Sequence, residues 1–123
     1  MQIVDANIIL RYLLNDQADF YERAAAVIDG QDVWIPFEVV AEVVYVLEKL
    51  YGVPRNAIKV SLSMLISCEN ISVNYKDVLE IALQFYDRKN IDFVDALLLG
   101  YNHARKYRVH SFDKRLNKHL IPV

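Results

Sequence analysis

Most of the sixteen acidic residues in this 123-residue chain lie among polar neighbours, but a few do not. Asp5 sits between Gln2-Ile3-Val4 and Ala6-Asn7-Ile8-Ile9-Leu10. Glu42 lies inside Phe37 to Leu47, a helical pattern that is apolar nearly all round and so expected to be buried on several sides. Asp95, with Asp92 three residues earlier, precedes Ala96-Leu97-Leu98-Leu99, and Asp113 follows Val109-His110-Ser111-Phe112. A carboxylate drawn into apolar surroundings is costly unless it is paired or metal-bound. Each acid also has a local reading. Asp5 and Asp113 could cap helices, Asp92 to Asp95 resembles a capping box, and Glu42 could face a solvent gap or pair with Lys49 or Lys59. Taken together, the local readings need a separate coincidence at each position. One cluster of carboxylates around a hard divalent cation explains them all, because Mg²⁺ and Mn²⁺ prefer oxygen ligands.

The elements that must position these acids can be read from the apolar pattern. With only three Gly and three Pro, helices should dominate. Short strands are predicted at residues 3–4, 33–35, 70–74, 109–111 and 120–121. Helices are predicted over residues 7–15, 19–28, from Pro36 to about Tyr51, from Pro54 to about Ile66, 76–89 and 93–106, with a short one near Lys114. Apolar strands alternating with helices imply a parallel sheet covered by helices, whose site lies at the carboxyl ends of the strands. Asp5 and Asp113 both fall just past a predicted strand.

Composition narrows the function classes. The length suits one domain, residues 1–123. An apolar fraction of 54% exceeds what one small core needs and suggests a partner surface. Net charge is −2, yet the segment from His103 to His119 holds six Lys or Arg against Asp113 alone, so a basic stretch offsets an acidic body. The single Cys68 fits a reducing compartment, and no signal peptide or membrane span is visible, so a cytoplasmic protein is expected. His103, His110, His119 and Cys68 lack zinc-ligand spacing, and no Gly-rich phosphate loop is present.

The acidic stretches, in their order and spacing, resemble the PIN-domain family, and within it the VapC-type toxin ribonucleases of toxin–antitoxin pairs. The opening Asp5-Ala6-Asn7 with its aliphatic run resembles that family's Asp-Thr-Asn start, with Ala6 where Thr is common. Ala41-Glu42, Asp92-Phe93-Val94-Asp95 and Ser111-Phe112-Asp113 resemble the three motifs that follow, and the likeness covers essentially the whole chain. The resemblance implies an α/β/α sandwich of three layers with a five-stranded parallel sheet. It implies a Mg²⁺- or Mn²⁺-dependent ribonuclease in which Asp5, Glu42, Asp95 and Asp113 hold the metal and carry catalysis. Asn7 and Ser111 would support them by hydrogen bonding, with Asp92 as a neighbour. Water would attack the phosphodiester and leave a 5′-phosphate. A homodimer and a small antitoxin that blocks the site are implied as partners of the RNA-cutting chain. Arg11, Arg105, Lys114 and Arg115 are candidates for phosphate contacts, with a solvated helix face as the plainer alternative. Two rivals are a catalytically idle PIN fold acting as a binding module, and a receiver-type signalling domain. The latter normally carries adjacent early acids and a late Lys-Pro, which this chain lacks.

Overall fold

The computed structural model describes residues 1–123 and divides into two compact units, Met1–Asn74 and Tyr75–Val123. The first is built on a parallel sheet of β1 (Gln2–Ile3), β2 (Val33–Trp34) and β3 (Ile71–Ser72), in that order. The register sets Gln2 against Val33 and Val33 against Ile71, so β2 is central. Val33 and Ile35 are buried while Trp34 between them is exposed, the period-two alternation of a strand. Parallel neighbours require long crossovers, and helices supply them. Helices α1 (Ala6–Leu14) and α2 (Ala18–Ile28) join β1 to β2, and α3 (Phe37–Lys49) and α4 (Arg55–Ile66) join β2 to β3. Pro36 and Pro54 stand just ahead of α3 and α4, where a missing N–H costs nothing. Gly52, at φ 64°, makes the left-handed turn between those two helices.

Helix α3 corrects one expectation. Phe37, Val40, Val43, Val44 and Leu47 form its buried face. Glu38, Glu42, Tyr45 and Lys49 recur at helical spacing along the opposite stripe, and all four are exposed. Glu42 is therefore not buried: one face of α3 absorbs the core contacts, and the surplus apolar residue on the other, Tyr45, is 62% exposed.

The second unit is helical, with α5 (Lys76–Arg88), α6 (Phe93–Arg105) and α7 (Lys114–His119). Val78, Leu79, Ala82 and Leu83 of α5 and Ala96 and Leu99 of α6 are fully buried. Gly100 lets the two helices approach closely, since a Cβ there would lie 2.4 Å from the Val78 carbonyl oxygen. The expected fourth and fifth strands are absent, so the sheet has three strands rather than five. Residues 109–111 and 120–121 join no ladder. Around them several backbone groups are taken by side chains instead, most of them by the amide of Asn102. Asn102, 1% exposed, donates from Nδ2 to the carbonyls of Tyr107 (3.0 Å) and Ile121 (3.2 Å), and its Oδ1 accepts from Ile121 N–H (2.8 Å). The fold class is α/β with a parallel sheet, and no helix is long and apolar enough to cross a membrane.

Two substitutions test this packing. Gly100→Ala should destabilise by about 1–3 kcal/mol through overpacking, although Ala is the better helix former by ~1 kcal/mol. Asn102→Leu should cost at least ~2 kcal/mol, because buried backbone groups lose their partners. Urea unfolding gives both values; an unchanged midpoint for Gly100→Ala would contradict the close α5–α6 approach.

Candidate functional site

Asp5 leaves β1 in an extended conformation and caps α1, its Oδ1 accepting from Ile8 N–H at 3.1 Å. The local reading is thus correct for one of its oxygens; the second takes no part in the cap. Asp5 and Asn7, both exposed, help to line a groove of about 690 Å³ together with Ile3, Val4, Ile8 and Val39. Glu42 is not in that lining. Lys49, one of its two suggested partners, pairs with Glu48 at 3.3 Å.

The second unit brings more of the expected residues together. Asp92, Asp95 and Asp113 line one polar cleft of about 90 Å³ with Ile91 and Arg115. Asp92 occupies the N-cap position of α6, but its side chain makes no capping bond, so the capping-box reading fails and both carboxylates remain available. Asp95, in the first turn, is half-buried beside the fully buried Ala96. Burial chiefly, then the charges of Asp113 and Asp92, push its carboxyl above the usual range. Asp113 caps α7, with Oδ1 accepting from the N–H groups of Arg115 (2.8 Å) and Leu116 (3.3 Å). Ser111 holds the loop that carries it: Ser111 Oγ accepts from Asp113 N–H at 2.9 Å, and the Ser111 carbonyl accepts from Asn117 Nδ2 at 2.8 Å.

The donor chemistry of this cleft suits a hard cation. It offers carboxylate oxygens from three side chains and a single guanidinium to offset them. No three acidic, His or Cys side chains already converge as direct ligands. The fit is accordingly to an ion that keeps part of its water shell, as Mg²⁺ does when one or two carboxylates bind it.

The four candidate phosphate contacts divide. Arg11 pairs with Asp16 at 3.1 Å and donates to Tyr51 Oη at 2.9 Å, so its guanidinium is already engaged. Arg105 forms a two-pronged pair with Asp77 (2.9 and 3.0 Å) and lies over the Tyr75 ring, 4.3 Å from its centroid. That guanidinium holds the Asp77 carboxyl below its ordinary range. Lys114 and Arg115 are exposed on α7. The partners Tyr51 and Asp77 lie 40 and 28 residues away in the chain, beyond the reach of any local pattern.

A model of the PIN domain family matches residues 3–119. A VapC ribonuclease of Aquifex aeolicus (strain VF5) is 25% identical over 103 residues, covering 79% of this chain and 75% of that protein. No solved structure matches.

Titrating Mg²⁺ or Mn²⁺ into metal-free protein should raise the melting temperature in a saturable way, by up to ~2.7 kcal/mol of stabilisation at a hundredfold excess over Kd. Asp95→Asn should melt no lower than the parent in EDTA, because one repelling charge is gone, and should lose most of the rise. A rise that Asp95→Asn leaves intact would remove Asp95 from the metal site.

Proposed function

The chain belongs to the PIN-domain family, and on that premise we propose that it is a metal-dependent endoribonuclease. The observation that carries the reading is the acidic cleft of Asp92, Asp95 and Asp113, which lies within the matched residues. The 25% identity to a VapC ribonuclease supports RNA as the substrate. Asp5, Glu42, Asp95 and Asp113 are assigned to metal binding and catalysis, with Mg²⁺ or Mn²⁺ as the ion. A divalent ion, when bound, supplies Lewis-acid polarisation of a phosphate and lowers the pKa of a water molecule.

The chain's own residues set the conditions for that chemistry. Asp5 and Asp113 each commit one oxygen to a helix cap, which fixes the carboxylate and leaves the other oxygen outward. Ser111 fixes the Asp113 backbone. Asn7, two residues after Asp5, lines the same groove, which supports its assignment as a hydrogen-bonding neighbour of Asp5. Arg115 lines the cleft with the three acids without forming an ion pair, and its guanidinium is assigned to meet a phosphate oxygen. Attack by water leaves a 5′-phosphate and has no need of the 2′-hydroxyl.

The likeness to VapC supports a toxin role with a small antitoxin and a homodimer as partners. Exposed apolar side chains on α3 and α4, Tyr45 (62%), Val60 (55%) and Met64 (67%), supply surface for such association. Light scattering on the purified chain should give twice the monomer mass; a monomer at micromolar concentration would reject the homodimer.

The deciding assay is cleavage of mixed single-stranded RNA with Mg²⁺, Mn²⁺ or EDTA. The parent should cut with either ion, produce 5′-phosphate ends and stop in EDTA. Asp5→Asn, Asp95→Asn and Asp113→Asn should each lose at least ~10²-fold in rate, and Glu42→Gln should fall in the same direction. Cutting that survives EDTA or these substitutions would defeat the proposal. No cutting by folded, metal-loaded protein on any RNA would favour the idle binding module.

A further inference from the structure

One aromatic side chain beside the acidic cleft is not used by the chemistry above. Phe112 lies between Ser111 and Asp113 and is 104% exposed, more than any other large apolar residue of the chain. Full exposure leaves the burial energy of a phenyl ring unrealised. The backbone on either side is nevertheless held: Ser111 by Asn117 Nδ2, and Asp113 by Ser111 Oγ and by its own cap of α7. The ring thus projects from a fixed loop and not from a loose end. His110, Ser111 and Phe112 line a recess of about 300 Å³ at its foot.

The chain around this ring carries both signs, since Asp113 adjoins it and lines the acidic cleft while cations follow on α7. Of the six Lys or Arg between His103 and His119, Arg105 is paired with Asp77, Lys106 bonds the His103 carbonyl and Arg108 bonds the Val123 carbonyl. Lys114, Arg115 and Lys118, on α7 after Asp113, are exposed and enter no ion pair, although Arg115 also lines the acidic cleft. A flat apolar face two residues ahead of a helix with three exposed, unpaired cations matches a nucleobase attached to a phosphate backbone. An apolar protein segment would satisfy the ring but not the cations.

We propose that Phe112 is a base-stacking residue, a platform on which an unpaired base of single-stranded RNA lies while α7 cations meet the adjoining phosphates. The inference rests on the ribonuclease reading and deepens it. A stack is available only to a base that is neither paired nor stacked within a duplex, so the ring would engage an unpaired base of that substrate. Every base has a π face, so the contact favours strandedness over sequence.

The test compares the parent with Phe112→Ala, Phe112→Leu and Phe112→Trp. Leu preserves an apolar side chain without a ring, and Trp preserves the stack. Steady-state cleavage of a short single-stranded RNA is measured alongside the fluorescence of the same oligonucleotide carrying 2-aminopurine, bound with Ca²⁺ in place of Mg²⁺. We expect Ala and Leu to raise KM about 5- to 150-fold, the effect of losing one stacked base, with kcat changed less than about twofold. Trp should restore KM, and 2-aminopurine quenching should follow the ring. A Leu variant with the parent's KM and quenching would overturn the stacking role while leaving the nuclease intact. A parent that neither binds nor cuts RNA would overturn both readings together. Unchanged RNA kinetics joined to loss of a protein partner by Phe112→Ala would make the ring a protein-docking residue instead.

Discussion

Negative charge has to be held in place before it can be used, and in this chain it is held at the starts of helices. Asp5 begins α1, Asp92 and Asp95 begin α6, and Asp113 begins α7. The first turn of a helix presents N–H groups without intrahelical partners and the positive end of the peptide dipoles. Carboxylates there are fixed at little cost, whereas three of them lining one cleft in free solution would swing apart. Asp113 shows the device most fully, since one of its oxygens takes two N–H groups and its own N–H is taken by Ser111. What remains uncompensated is the half-burial of the Asp95 carboxyl and, after it, the nearby charges of Asp113 and Asp92, which together push it up.

The scaffold of the second unit follows from two small side chains. Gly100 has no Cβ to strike the Val78 carbonyl, so α5 and α6 lie close enough to exclude water between their apolar faces. Asn102, two residues on, uses both ends of its amide to bind the chain at Tyr107 and Ile121. The segment between those points includes Ser111, Phe112 and Asp113, so the loop that carries a candidate ligand is tethered at both ends to the same helix. A buried, fully bonded amide is a strong local constraint because any displacement leaves polar groups unsatisfied.

Positive charge is apportioned as strictly. Arg11 and Arg105 are each matched to a carboxylate and an aromatic partner, Asp16 with Tyr51 and Asp77 with Tyr75. Planar guanidinium groups suit such two-pronged and stacked contacts. Between His103 and His119, the cations without a carboxylate or carbonyl partner are Lys114, Arg115 and Lys118 of α7. The basic character of the C-terminal stretch is therefore narrower in the structure than the residue count suggests.

Apolar periodicity alone determined the order and type of the helices and the first three strands, because a buried stripe must repeat with the period of its element. Sequence order and flanking residues also marked Asp92, Asp95 and Asp113, which line one cleft, and Asp5, which lines a groove with Asn7. Three matters were decided only by tertiary structure. Glu42 turned out to be exposed, since an all-round apolar pattern does not say which face the core will take, and α3 spends its Phe37 to Leu47 face. Residues 109–111 and 120–121 read as strands by composition, but a strand exists only when another backbone pairs with it, and here the Asn102 amide binds the neighbouring peptide groups instead. Finally, whether an arginine is free or bound depends on partners such as Tyr51 and Asp77. They are remote in sequence and adjacent only after folding, and no local pattern carries that information.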